Sequence, residues 1–268
     1  MQTRWQNLGV LAGVLIAAAL AIAPVQSWRQ ARAAQRAFDT GNISQKGTAL
    51  RSLAHLQTHR SDATVLAALS NSDPALRTHA AYAISSTHRM DLAGVLLAAW
   101  QREPDPATRS GMIFDWSQLV GAAAAEPLLE PMLTSQDPWT VVAAARARLR
   151  WGDPAAAGRV FCLAAAADPG LRTSAQNELL GMALPLAAMI GQTLPIPDTR
   201  PPAWSAEQVT QFAAWWDAHI TPQLLRDYAA WRLDRPDAWN KASFLLHTWR
   251  TRVKAVLPMT EAEGETGN

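Results

Sequence analysis

A single cysteine, Cys162, stands in a chain of 268 residues, so no internal disulfide can form and no Cys-rich zinc or iron-sulfur site can be assembled. An excess of charge is lacking too. The chain has 24 basic and 22 acidic side chains and a net charge of +2, which builds no field suited to nucleic acid. Alternating β-branched runs of the kind that make strands are missing, which argues for an all-α protein. Glycines do not cluster: Gly152, Gly158, Gly181 and Gly191 form neither a phosphate loop nor a dinucleotide fingerprint, and no Gly-x-Ser-x-Gly nucleophile elbow occurs. None of the six histidines precedes a glutamate. Only His55 and His59 have the i, i+4 spacing that would set two metal ligands on one helix face, and His59-Arg60 reads more simply as a helix end. Cys162 lies in an apolar stretch and reads as a small core residue. The expectation is therefore no catalytic residue, no cofactor and no metal, hence no enzyme.

What the chain does have is a period. Asp-Pro pairs open at Asp73, Asp105, Asp137 and Asp168, separated by 32, 32 and 31 residues, and each leads into an Ala/Leu-rich stretch. An Asp at the N-cap accepts hydrogen bonds from the orphan N–H groups of the first turn, while Pro at the first helical position supplies the right φ and wastes no donor. Asp73-Pro74, Asp105-Pro106, Asp137-Pro138 and Asp168-Pro169 thus read as four helix starts. Small and apolar residues then recur at three- and four-residue intervals, the period of a helix with one packed face. A second helix should follow each first one. Its start is plainest at Gly152-Asp153-Pro154, where glycine ends one helix and a new cap opens the next, through Val160, Phe161 and Leu163. Self-similarity at this spacing is the mark of a solenoid, whose units bury their apolar faces only by stacking.

In this pattern the chain resembles HEAT-like repeats of the short, phycobilisome-lyase type, whose units begin Asp-x-x-Val/Leu-Arg and often carry Gly-Asp-Pro between their helices. The resemblance covers residues 43–190 and implies a right-handed α-solenoid of about four to five helix pairs. The family's arginine stands at Arg77, Arg109 and Arg172, with Val141 in its place in the third unit, and the resemblance implies that it pairs with an Asp of an adjacent repeat. Residues 43–70, with Leu50, Leu53, Leu56, Val65 and Leu69, fit a first unit without the Asp-Pro cap, since terminal repeats are commonly atypical. Such arrays serve adaptors, enzyme subunits and DNA-repair proteins alike. The function expected is a scaffold or adaptor that binds a protein partner, as an accessory or assembly subunit of a membrane complex. A bilin lyase or pigment chaperone is the alternative that the resemblance implies, and a nucleic-acid-binding HEAT protein comes third, opposed by the near-neutral charge.

The membrane enters through the N-terminus. After a tail of residues 1–7, seventeen residues from Leu8 to Pro24 carry no charge, and Trp5 and Trp28 flank them as interfacial tryptophans would. Residues 8–28 are read as a single-pass anchor in preference to a cleavable signal peptide, because cleavage after Ala21-Ile22-Ala23 would leave Pro24 first. The body is placed on the exported, periplasmic side, although Arg29, Arg32 and Arg36 follow the segment and Arg4 alone precedes it. Residues 29–42 continue as a connecting helix ending near Gly41.

Toward the C-terminus, prolines in residues 191–203 interrupt the repeats. Residues 204–257 form a Trp-rich helical cap, with helices opening at Ser205, Thr221-Pro222 and Pro236-Asp237, and residues 258–268 form an acidic tail expected to be disordered. Trp204, Trp215, Trp216, Trp231, Trp239 and Trp249 serve to pack this cap, and those it leaves exposed are the candidate partner-binding residues. Asp115, beside Trp116 in an apolar run, is the oddest acidic residue: an interhelical hydrogen bond or a place at the protein exterior is the reading preferred over a catalytic role.

Overall fold

The five Asp-Pro pairs all start helices. In the structure, a computed structural model that describes residues 26–196 and 202–234, the Asp73 carboxylate accepts from the Ala75 N–H at 2.9 Å, Asp105 from Thr108 at 2.7 Å, Asp137 from Trp139 at 3.1 Å, Asp153 from Ala155 at 2.9 Å and Asp168 from Leu171 at 2.9 Å. Proline follows each as the first helical residue. Elsewhere the caps are reciprocal pairs: Asn42 with Gln45, Thr58 with Ser61 and Ser205 with Gln208. Local chemistry thus sets nearly every helix start before packing acts.

The described residues are all-helical, with no strand among them. The chain divides between Ala125 and Glu126 into two compact units. In the first, α1 spans residues 26–40, α2 Ile43–Leu56, α3 His59–Leu69 and α4 Pro74–Ser86; a 3-10 turn at Met90–Leu92 leads into α5, Ala93–Arg102, and α6 is Pro106–Val120. The first helices α2, α4 and α6 pack side by side, α3 lies on α2 and α4, and α5 lies on α6 and α4. Leu50, Ile84, Leu96 and Met112 are fully buried between them. Helix α7, Ala122–Met132, contains the division.

The second unit holds α8, Pro138–Arg150, α9, Pro154–Ala164, α10, Pro169–Ile190, α11, Ala206–His219, and α12, Pro222–Asp234. Helices α8, α9 and α10 pack mutually, and α11 meets α9. Ala143, Ala144, Ala145 and Ala147 of α8 have no exposure, because a methyl side chain lets neighbouring backbones come close. Consecutive helix pairs therefore pack on their neighbours in chain order within each unit, as a helical repeat requires.

Three expectations are corrected. The fourth repeat has no second helix: α10 runs unbroken for 22 residues, since no second Asp-Pro cap follows Asp168-Pro169 and Gly181 stays in helical conformation, so that Gly191, at φ +70°, is the residue that closes it. Pro185 sits inside it, and the helix continues past it to Ile190 although proline supplies no N–H there. His55 and His59 do not share a helix, because Gln57 takes a left-handed conformation and Thr58 caps a new one, so His55 ends α2 and His59 starts α3. Cys162 is exposed on α9 rather than buried, on the face opposite Val160 and Ala164. No helix among the described residues is long and apolar enough to cross a membrane. Residues 1–25 of the tail and anchor, Trp239, Trp249, the last cap helix and the acidic tail lie outside the described residues.

Candidate functional site

The repeat arginines serve structure. Arg77 grips Glu103 with two parallel bonds, Nε to Oε2 at 2.7 Å and Nη2 to Oε1 at 2.6 Å, and its Nη1 donates to the carbonyls of Asn71 and Ser72. Glu103 in turn accepts the Asp105 N–H at 3.0 Å. The partner is thus the glutamate just before the next Asp-Pro, not an aspartate of the adjacent repeat; a bidentate fork needs one planar carboxylate, and the caps' carboxylates are already used on their own helices. Hydrogen bonding to Glu103 raises the Arg77 pKa further. Arg172 bonds the Ala166 carbonyl at 3.3 Å within its own turn, and Arg109 lies half-buried on α6.

Two stronger ion networks were not foreseen in the sequence. Arg89 is 3% exposed and uses every donor it has: Nε and Nη2 on Asp91, Nη1 and Nη2 on Asp62, and Nη1 also on the Ala54 carbonyl at 3.1 Å. It joins the ends of α2 and α3 to the turn before α5. The Arg89 bonds hold the Asp91 carboxyl below its ordinary range. In the second unit Glu178 of α10, 2% exposed, receives Arg146 and Arg150 from α8, with Arg146 Nε at 3.1 Å. Burial alone would push the Glu178 carboxyl up, but Arg150 and Arg146 outweigh it and its pKa is lowered. Arg148 gathers Glu126, Glu130 and Asp153 at the surface.

The tryptophans divide by burial. Trp204, Trp216 and Trp231 are 4%, 4% and 1% exposed. Trp204 and Trp216 meet Phe212 edge-on at 5.3 and 6.3 Å, and Phe161 of α9 completes the cluster at 5.5 Å from Phe212. Gln176, fully buried on α10, fastens this cluster: its amide oxygen accepts the Trp204 N–H at 3.1 Å, and its Nε2 donates to the carbonyls of Trp204 and Ala164. Trp215 is only half-buried and lies between Phe212 and His219 in stacked contacts. Among the described candidates, Trp215 alone keeps a face toward solvent.

Asp115 is buried in α6 and does not lie at the protein exterior. Among the described residues no three His, Cys, Asp or Glu side chains gather as metal ligands would. The feature best suited to recognition lies on the first helices of unit one. Tyr82 of α4 is 46% exposed although its neighbours Ala80, Ala81, Ala83 and Ile84 have no exposure, and the Arg51 guanidinium of α2 stands 5.7 Å from its ring. A rigid aromatic beside an arginine is the composition of an interface anchor. Its sequence signal was only one of the chain's two tyrosines in an Ala-rich helix. In comparison with known proteins, no family model and no curated sequence matches this chain.

Proposed function

We propose that the protein is a membrane-tethered helical-repeat scaffold of HEAT-like type, which holds a protein partner on the layer of first helices. The observation that carries this reading is Tyr82, a large aromatic left in solvent by a helix that buries almost everything around it, with Arg51 of the preceding repeat over its ring. Folding gains nothing from that exposure, whereas a partner that covered the ring would bury it without ordering a flexible chain. The uncharged run from Leu8 to Pro24 supplies the tether in this reading, and confinement to a surface raises the chance of meeting membrane-bound partners. The half-buried Trp215 is a second contact residue of the same kind.

Crosslinked affinity purification of the full-length protein from its native membrane tests the proposal. A stoichiometric partner recovered by the wild type and lost by Tyr82→Ala supports it. Recovery of the isolated chain from both overturns it.

A further inference from the structure

Helix α1 is nearly uncovered: of residues 26–40 only Ala34 is buried, while Trp28, Arg29, Arg32 and Arg36 are exposed on the opposite side. These four follow one another at one-, three- and four-residue steps, which keeps them on one stripe of the helix. Trp28 is 54% exposed, and the Arg32 guanidinium lies over its ring at 4.1 Å. Between this stripe and the α2–α3 turn runs a cleft of about 550 Å³ lined by Trp28, Arg32, Arg36, Asp39, Leu53 and Arg60. Gln35 holds α1 in place there, accepting from Thr64 Oγ1 of α3 at 2.9 Å and donating to Asp39 at 3.0 Å.

We propose that this face of α1, with Arg60, docks on the headgroups of anionic phospholipids. Four arginines and one carboxylate, Asp39, concentrate positive charge here in a chain whose whole excess is only +2. Among the described residues Asp39 is already engaged by Gln35, and no ion pair neutralises the four guanidinium groups. Guanidinium forks match phosphate oxygens, and tryptophan with its donor at one edge is the side chain that settles at headgroup level. The stripe begins four residues after the uncharged run from Leu8 to Pro24, so a membrane holding that run would lie beside it. This inference rests on the tether proposed above and adds the lipid chemistry that the tether's flank selects.

The test follows amide exchange of residues 26–40 in the full-length protein, reconstituted in phosphatidylcholine vesicles with or without phosphatidylglycerol, with flotation recorded in parallel. The protein is expected to float with both, with α1 amides exchanging about tenfold more slowly on the anionic vesicles, an effect that salt and the triple variant Arg29→Gln/Arg32→Gln/Arg36→Gln abolish. Equal exchange on both compositions, with flotation intact, overturns the headgroup site and leaves the tether standing. Absence of flotation overturns the tether and the inference with it. Equal slowing by inorganic phosphate or a DNA duplex without vesicles overturns the membrane as the occupant. Circular dichroism of the triple variant, whose changed residues are all exposed, verifies that the helices persist.

Discussion

Gly152 lies against the backbone of Arg226: a β-carbon at position 152 would come within 2.9 Å of the Arg226 Cα and 3.1 Å of the Ala229 Cβ. Its φ of +85° closes α8 while α12 passes over it. One residue thus ends a helix and admits another, and only glycine does both.

Gly152→Ala is expected to lower stability by about 2–4 kcal/mol, because left-handed strain and a clash with main chain add. Gly158→Ala, in an open position of α9 where nothing lies within 4 Å, should instead raise it by about 0.5–1 kcal/mol. Urea titration of both variants followed by circular dichroism checks the pair; a neutral Gly152→Ala would mean that α12 does not pack there.

The Glu178 cluster predicts an asymmetry. Arg150→Met leaves a carboxylate of 1% side-chain exposure short of a partner and should cost about 3 kcal/mol or more, whereas Glu178→Gln leaves arginines of 17% and 25% exposure that reach water and should cost about 1–2 kcal/mol. Equal losses in denaturant unfolding would refute the assignment.

Acid sensitivity follows from the same carboxylate. Glu178 is lowered from 4.5 in the folded state, so its stabilisation is complete above that unfolded value and is lost as pH falls through the lower folded one. Asp105, lowered by the Thr108 N–H, and Asp91, lowered by Arg89, add losses below 3.8. Stability measured from neutral pH into this acid range should fall less steeply in Glu178→Gln than in the wild type.

Arg89→Met should cost about 1–3 kcal/mol, at the lower end for a buried ion, because Asp91 and Asp62 are 60% and 27% exposed and regain water when released. The readout is thermal unfolding, with amide exchange at the α2–α3 turn rising first.

Cys162, exposed on α9, should react fully with a thiol reagent in native buffer. A thiol that reacts only after denaturant is added would place it inside.

Tyr82→Ala should leave stability within about 0.5 kcal/mol, since nearly half the side chain is already in water, while weakening partner recovery at least about tenfold. A large loss of stability would make Tyr82 a packing residue.

Helix starts were legible because a cap and its recipient lie two or three residues apart. The five Asp-Pro pairs and Ser205 with Gln208 needed nothing beyond that local geometry. The split between His55 and His59 was legible too, in Thr58 followed by Ser61, a reciprocal cap that the histidine spacing obscured. The long α10 was legible only in part: residues 172–190 lack an Asp-Pro start, but Gly181 within them stays helical and ends nothing.

The ion networks and the division of the tryptophans were not legible, since Arg89 reaches Asp62 across 27 residues and Gln176 reaches Trp204 across 28. The sequence by itself determined that this chain is helical, where most of its helices begin and the period at which they recur, because capping and apolar periodicity act within one or two turns. Only the tertiary structure decided which arginine meets which carboxylate, that Trp204, Trp216 and Trp231 are enclosed, and that Tyr82 is left in water. Exposure belongs to neighbours brought together from distant repeats, and no single repeat contains them.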